Sequence, residues 1–223
     1  MPIQKIKLDI FSDIVCPWCY IGKRHLDSAL KQIEESADLN VDIQLCWRSF
    51  QLNPQLSSEG MPRSSYTTSK FGGKENATAV YARVEQAAQQ VGINLNLDKI
   101  LVQPNSSRIH ELIMGSREFG LQGRAIERFF EAFFLEGKNL SEEEILIELA
   151  IQIGMPEGPT RKILETNKYT EIVAKEQASA QEMGIQGVPY FIFNERVGLS
   201  GAQPSDMIVK AIEHVTKESN LPS

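Results

Sequence analysis

Apolar and polar residues alternate through Ile6-Lys7-Leu8-Asp9-Ile10, the period of two that turns one face of a strand toward a core. The alternation stops at Ser12-Asp13-Ile14-Val15, and from Ile21 the period changes. Ile21, Leu26, Ala29, Leu30 and Ile33 recur at helical spacing, with Lys23, Arg24, Asp27, Lys31 and Glu34 filling the opposite face. Val41-Asp42-Ile43-Gln44-Leu45-Cys46-Trp47 alternates once more. Strand, helix, strand is a βαβ unit, whose connection is right-handed and whose strands are parallel.

The breaker-rich stretch from Gln51 to Pro62 ends this unit, and from there to about Gly184 the pattern is helical. Ala79 to Val91 reads as one helix closed by Gly92. Ile93 to Val102 is a less regular connector that can lie against a site. Ser106 or Ser107 is placed to cap the next helix, which carries Ile109, Leu112, Ile113 and Ser116 on one side. Leu121, Ala125, Ile126, Phe129, Phe130, Phe133 and Phe134 then form an apolar stripe, which reads as core rather than as a cofactor box. Ser141 with Glu144 predicts a capping box ahead of Ile145, Leu146, Leu149, Ala150 and Ile153. A short helix around Thr160 to Leu164 and a longer one from about Tyr169 to Met183 complete the block.

The chain then returns to strand. Tyr190-Phe191-Ile192-Phe193, a turn near Asn194-Glu195, and Val197 to Gly201 predict an antiparallel hairpin, followed by a helix after Pro204 that carries Met207, Ile208, Ala211, Ile212 and Val215 on its apolar face. The fold class is therefore α/β: a βαβ half and a ββα half, residues 1–55 and 185–223, with an all-helical domain over 56–184 inserted between them.

The chemistry sits where the first strand gives way to the first helix, at Cys16-Pro17-Trp18-Cys19. Pro17 suits the first helical turn, where a missing N–H costs nothing. Cys16 then lies at the positive end of the helix, where free N–H groups hold a thiolate, and Cys19, one turn further in, is more enclosed. Cys16 is the attacking thiol and Cys19 the resolving one. The same spacing also serves zinc. Beyond the pair, however, the chain offers only Cys46 and three histidines, with no second Cys-x-x-Cys, so thiol chemistry is favoured and no metal is assigned. Cys46 reads as a small packed residue or a third, regulatory thiol, and Arg48 as a paired or solvated strand-end cation or an anion-binding residue. Pro189, preceded by Val188, is either a simple strand-start proline or the second partner in a cis Val188–Pro189 bond facing Cys16, which leaves the Val188 backbone free to pair with a substrate.

With 223 residues, 42% of them hydrophobic, the chain can bury a sizeable core. A net charge of -6 with both signs interspersed gives no basic stripe for nucleic acid. No apolar run reaches membrane-spanning length and no leader is recognisable at the start, so a cytoplasmic protein is expected; in that reducing compartment a Cys–Cys pair is transient and catalytic rather than structural. Composition does not fix the oligomeric state.

These stretches together resemble the DsbA-like branch of the thioredoxin superfamily, and more closely the FrnE-like DsbA proteins. The resemblance is carried by Ser12 to Gly22, Trp47-Arg48-Ser49-Phe50-Gln51-Leu52-Asn53-Pro54, Pro104-Asn105-Ser106, Gly187-Val188-Pro189-Tyr190-Phe191 and Ser200-Gly201-Ala202-Gln203-Pro204. It implies a thioredoxin fold with a helical insertion and thiol-disulfide oxidoreductase activity on protein or small-molecule disulfides. Cys16 and Cys19 would be its catalytic residues, and Pro17, Trp18, Val188, the cis-proline Pro189 and Asn105 its substrate-binding ones. No resident cofactor is implied, with glutathione as a co-substrate. The same architecture includes 2-hydroxychromene-2-carboxylate isomerases and kappa-class glutathione transferases, so the alternative is a glutathione-dependent isomerase or transferase acting on a small aromatic or polyketide-like substrate; retention of Cys19, superfluous there, favours redox exchange. Pro104-Asn105-Ser106 with His110 resembles the segment that faces the site in the glutathione-using relatives, and otherwise reads as a helix cap with a flanking histidine. Periplasmic DsbA proteins typically carry His between the cysteines, and Pro17-Trp18 in that place implies a milder, more reducing couple.

Overall fold

The computed structural model describes residues 3–36 and 39–218. The first strand, β1 (Gln4–Ser12), lies at the centre of a four-stranded sheet, between β2 (Val41–Ser49), to which it is parallel, and β5 (Tyr190–Phe193), to which it is antiparallel. The fourth strand, β6 (Val197–Ser200), completes the hairpin with β5. In its turn Asn194 and Glu195 both have positive φ, 48° and 59°, as the tight primed hairpin turn requires. The Asn194 side chain takes a further hydrogen bond from the Lys7 N–H at 2.9 Å, so the turn is stitched to the middle of β1.

The strand period sorts residues onto two faces. Ile6, Leu8 and Ile10 of β1, with Phe191 and Phe193 of β5, join the main core with Ile208 and Ile212 of the closing helix. The helices on this face are α1 (Pro17–Glu34) and α9 (Ser205–Glu218), which pack on each other. Phe11, on the other face, gathers with Phe50, Ala180 and Ile185 in a smaller cluster beneath α8 (Thr170–Glu182).

Between the halves stand β3 (Met61–Pro62), α2 (Arg63–Phe71), α3 (Lys74–Gln90), β4 (Val102–Gln103), α4 (Ser107–Ser116), α5 (Gln122–Phe134), α6 (Glu143–Gln152), α7 (Glu157–Glu165) and α8. The hydrophobic pattern predicts α3 from Ala79, but the helix starts at Lys74, because Gly73, at φ 138°, turns the chain there. The β3–β4 pair, two residues a side, is too short to leave a period. The connector between α3 and α4 is tied to α5, the Asn96 N–H donating to the Phe134 carbonyl at 2.8 Å, and its Leu101 carbonyl accepts from the Arg63 N–H. The predicted Ser141–Glu144 capping box does not form. Arg161 draws the Glu144 carboxylate away with contacts of 2.7 and 3.0 Å, and the Ser141 hydroxyl is buried without a partner among the described residues. Asn139 makes the turn instead, accepting from the Ser141 N–H at 3.2 Å.

The apolar stripe of α5 is core, as its spacing predicts: Phe129, Phe130, Phe133 and Phe134 are all buried. Tyr20 of α1 stacks on Phe130 with ring centroids 4.9 Å apart and planes 12° from parallel, so one continuous core runs from the sheet into the helical block. Around that joint Glu127 takes ion pairs from Lys23, at 2.7 Å, and from Arg24. Burial would push the Glu127 carboxyl up, but the bonds from Arg24 and Lys23 prevail and hold it below the usual range. At the centre of the block, α4 contacts α5, α6, α7 and α8, and Ile109 through Ser116 are buried without interruption, which a one-sided pattern does not reveal. Replacing Phe130 by Ala removes the ring that joins α1 to the block; we expect a loss of about 3–5 kcal/mol, read as a lowered urea midpoint.

Candidate functional site

The β1–α1 junction places the two thiols. Cys16 is the residue capping α1, with extended backbone (φ -97°, ψ 111°), and Pro17 opens the helix. The Cys16 N–H donates to the Asp13 carbonyl at 3.0 Å, closing a tight turn, and its own carbonyl accepts from the Cys19 N–H at 3.0 Å. Both sulfurs are free thiols in the core, Cys16 with 4% of its surface exposed and Cys19 with 1%. Trp18, between them, is 41% exposed and stands beside the site.

The second half of the chain closes over the first sulfur. The Val188–Pro189 bond is cis, and Cys16 Sγ lies 3.6 Å from the Val188 carbonyl oxygen. Pro189 packs on α1 at Gly22, so closely that a Cβ there would come within 2.8 Å of the proline ring. This contact requires glycine at position 22 and sets the height of the Val188 backbone over Cys16.

The two thiols differ in their surroundings. Burial raises the Cys19 thiol well above its ordinary value, and the hydrogen bond and charge of Cys16 raise it further, whereas the Asp13 backbone and the Ser12 hydroxyl act in the opposite sense. That hydroxyl is buried and has no hydrogen-bond partner among the described residues. Cys19 therefore holds its proton more firmly than an ordinary cysteine.

Asp13, which stands out in the sequence only as part of the motif, is the best-enclosed polar residue of the site, with no exposed surface. Its Oδ2 accepts from the Leu52 N–H at 2.7 Å and its Oδ1 from the Val15 N–H at 3.4 Å. His110 Nε2 lies 3.5 Å from Oδ1 and 3.2 Å from the Phe50 carbonyl; since a carbonyl only accepts, Nε2 carries the hydrogen. His110 is thus a buried tie between α4 and the exit of β2, not a flanking residue.

Asn105 has both ends of its carboxamide committed. Its oxygen accepts from the Ser107 N–H at 2.9 Å and from Gln51 Nε2 at 2.8 Å, and its nitrogen donates to the Leu56 carbonyl at 2.6 Å. It caps α4, in place of Ser106, whose side chain makes no capping bond, and it holds the 51–56 loop. Cys46 and Arg48 form a separate group on the α8 face of β2. Arg48 pairs with Asp9 at 2.7 Å and Glu176 at 3.0 Å, and Arg117 donates to Cys46 Sγ at 3.0 Å. Burial pushes the Cys46 thiol up. Among the described residues no three His, Cys, Asp or Glu side chains are grouped to hold a metal, and no helix is long and apolar enough to cross a membrane.

The family model for the DSBA-like thioredoxin domain matches residues 7–213, so the chain belongs to that family. The uncharacterized protein YwbO of Bacillus subtilis is 26% identical over 218 residues, covering 96% of this chain and 98% of that protein. A probable DsbA oxidoreductase of Streptomyces coelicolor superposes with a TM-score of 0.87 at 26% identity, over 98% of this chain and 92% of its own. The cytosolic disulfide reductase DsbM of Pseudomonas aeruginosa, solved with GSH, shares the fold with a TM-score of 0.64 at 18% identity, over 95% of this chain and 99% of that one.

Ser12 offers a direct test of the asymmetry between the thiols. Removing a donor that favours the thiolate raises the Cys19 thiol further, so Ser12→Ala introduced into the Cys16→Ser protein moves the pH profile of Cys19 alkylation to higher pH. An unchanged profile, measured by mass after iodoacetamide pulses, removes Ser12 from the site.

Proposed function

We propose that the protein is a thiol-disulfide oxidoreductase working through Cys16 and Cys19 on protein or small-molecule disulfides. The observation that carries this reading is the pair itself: one sulfur under the Val188 backbone at a helix N-terminus, the other buried behind it with its proton held. The Cys16 thiolate attacks one sulfur of the substrate disulfide, and the other leaves as a thiolate that takes up a proton. Cys19 then gives up its proton and attacks Cys16 Sγ. The second substrate thiol departs, leaving a Cys16–Cys19 disulfide and two electrons on the substrate. A thiol reductant such as glutathione restores the dithiol, and no resident cofactor takes part. In this reading Pro17 and Trp18 form the apolar lip of the site, the Val188 backbone, with Pro189 behind it, pairs with the substrate, and Asn105 acts through the Gln51 loop it holds. The exchange is set in the cytosol, supported by the scarcity of cysteines outside the motif.

The test is a redox titration in glutathione buffers of set potential, trapped by alkylation and read by mass. A reversible Cys16–Cys19 disulfide with a midpoint more reducing than about -120 mV, the value of the strongly oxidising periplasmic DsbA, is expected. Cys16→Ser abolishes exchange, and Cys19→Ser accumulates the mixed disulfide. A glutathione adduct on Cys16 with no internal disulfide, or full turnover by Cys19→Ser, overturns the dithiol cycle and moves the assignment to a glutathione-dependent isomerase or transferase.

A further inference from the structure

Arg63, the first residue of α2, is buried with 9% of its surface exposed, and among the described residues no carboxylate pairs with its guanidinium. The guanidinium lies over two tyrosine rings, 5.2 Å from the centroid of Tyr66 and 5.4 Å from that of Tyr81. From Nη1 it donates to Gln103 Oε1 on β4. Burial lowers the Arg63 guanidinium from its ordinary value, and Tyr66 and Tyr81 are the neighbours that oppose this. Gln103 has no exposed surface, and its Nε2 is buried without a hydrogen-bond partner among the described residues. A cation and an amide donor are thus fixed to each other inside the insertion with no acid to meet them. Lys70, whose ammonium donates to Tyr66 Oη at 2.6 Å, is exposed, so the enclosed charge is single.

We propose that Arg63 and Gln103 form a binding site for one small monocarboxylate, of formate or acetate size, which lies outside the thiol chemistry and stands independently of the dithiol reading. A buried charge left unpaired and a buried amide N–H left without an acceptor each cost stability, and one anion with two acceptor atoms answers both. A carboxylate has that shape. Its oxygens are coplanar with its carbon, as are the donors of a guanidinium and of a carboxamide, so one oxygen takes a guanidinium N–H and the other the Gln103 amide. A single negative charge matches the single enclosed cation, whereas phosphate brings a second charge with no buried cation to meet it. The enclosure of both side chains limits the ligand to a few atoms. Gln103 pairs with Met61 across the β3–β4 bridge and is followed by Pro104 and Asn105, so an anion held there ties the start of α2 to the strand that leads into the cap of α4.

Thermal unfolding of the full chain is followed while sodium acetate replaces sodium chloride at constant ionic strength. The wild-type midpoint is expected to rise by about 3–6 °C for each tenfold increase in acetate above the dissociation constant. Gln103→Glu sets a carboxylate of the chain itself against Arg63; its midpoint in chloride is expected to rise and its response to acetate to disappear. Arg63→Met, which removes the charge and keeps the length, loses the response as well. No acetate response in the wild type, which would mean that water satisfies both groups, overturns the assignment. So does the same response in either variant, or a lower midpoint in chloride for Gln103→Glu.

Discussion

A carboxyl group with no exposed surface must find its hydrogen-bond partners inside the protein, and Asp13 finds them on three segments. It takes the Val15 N–H from its own turn, the Leu52 N–H from the loop after β2, and faces the His110 ring from α4. A buried polar group left unpaired costs about 1–3 kcal/mol, so the segments that satisfy Asp13 are held in register with one another. They are the turn that presents Cys16, the loop after β2, and the central helix of the insertion. The insertion is thereby part of the site and not an appendage to it.

The rest of the scaffold serves the same registration. Tyr20 on Phe130 and the Glu127 ion pairs fix the flank of α1 against α5, while Gly22 lets Pro189 approach the other side of the same helix. With α1 packed on both sides, its first turn brings Cys16 Sγ to 3.6 Å from the Val188 carbonyl. The same arrangement accounts for the inequality of the thiols: Cys16 closes the turn after β1 and caps α1, at the edge of the core, and Cys19 lies one turn down, inside it. Two chemically identical residues acquire different surroundings from a single turn of helix.

Much of this was legible in the chain. The alternation in β1, β2 and the hairpin, the stripe of α1 and the phenylalanines of α5 are long periodic signals, and burial of one face leaves them written in the residue order. The spacing of Cys16 and Cys19 and the proline at the start of α1 likewise placed Cys16 at the start of the helix and Cys19 inside it. Local signals were less dependable. The capping box at Ser141 failed because Glu144 found Arg161 from another helix, and the cap of α4 passed from Ser106 to Asn105 because Asn105 also had Gln51 and Leu56 to hold. In both cases a long-range partner outcompeted the bond that neighbouring residues suggested.

The sequence by itself determined the element order, the buried faces and the placing of two thiols at the first strand–helix junction, because these depend on periodicity and on residues adjacent in the chain. Only the tertiary structure decided what surrounds the pair. His110 reaches Asp13 across 97 positions, and the Val188 carbonyl reaches Cys16 across 172. No period or spacing links such residues. They meet because β1 pairs with both β2 and β5 and because α8 packs beside β2, and the chemistry of the site follows from that meeting.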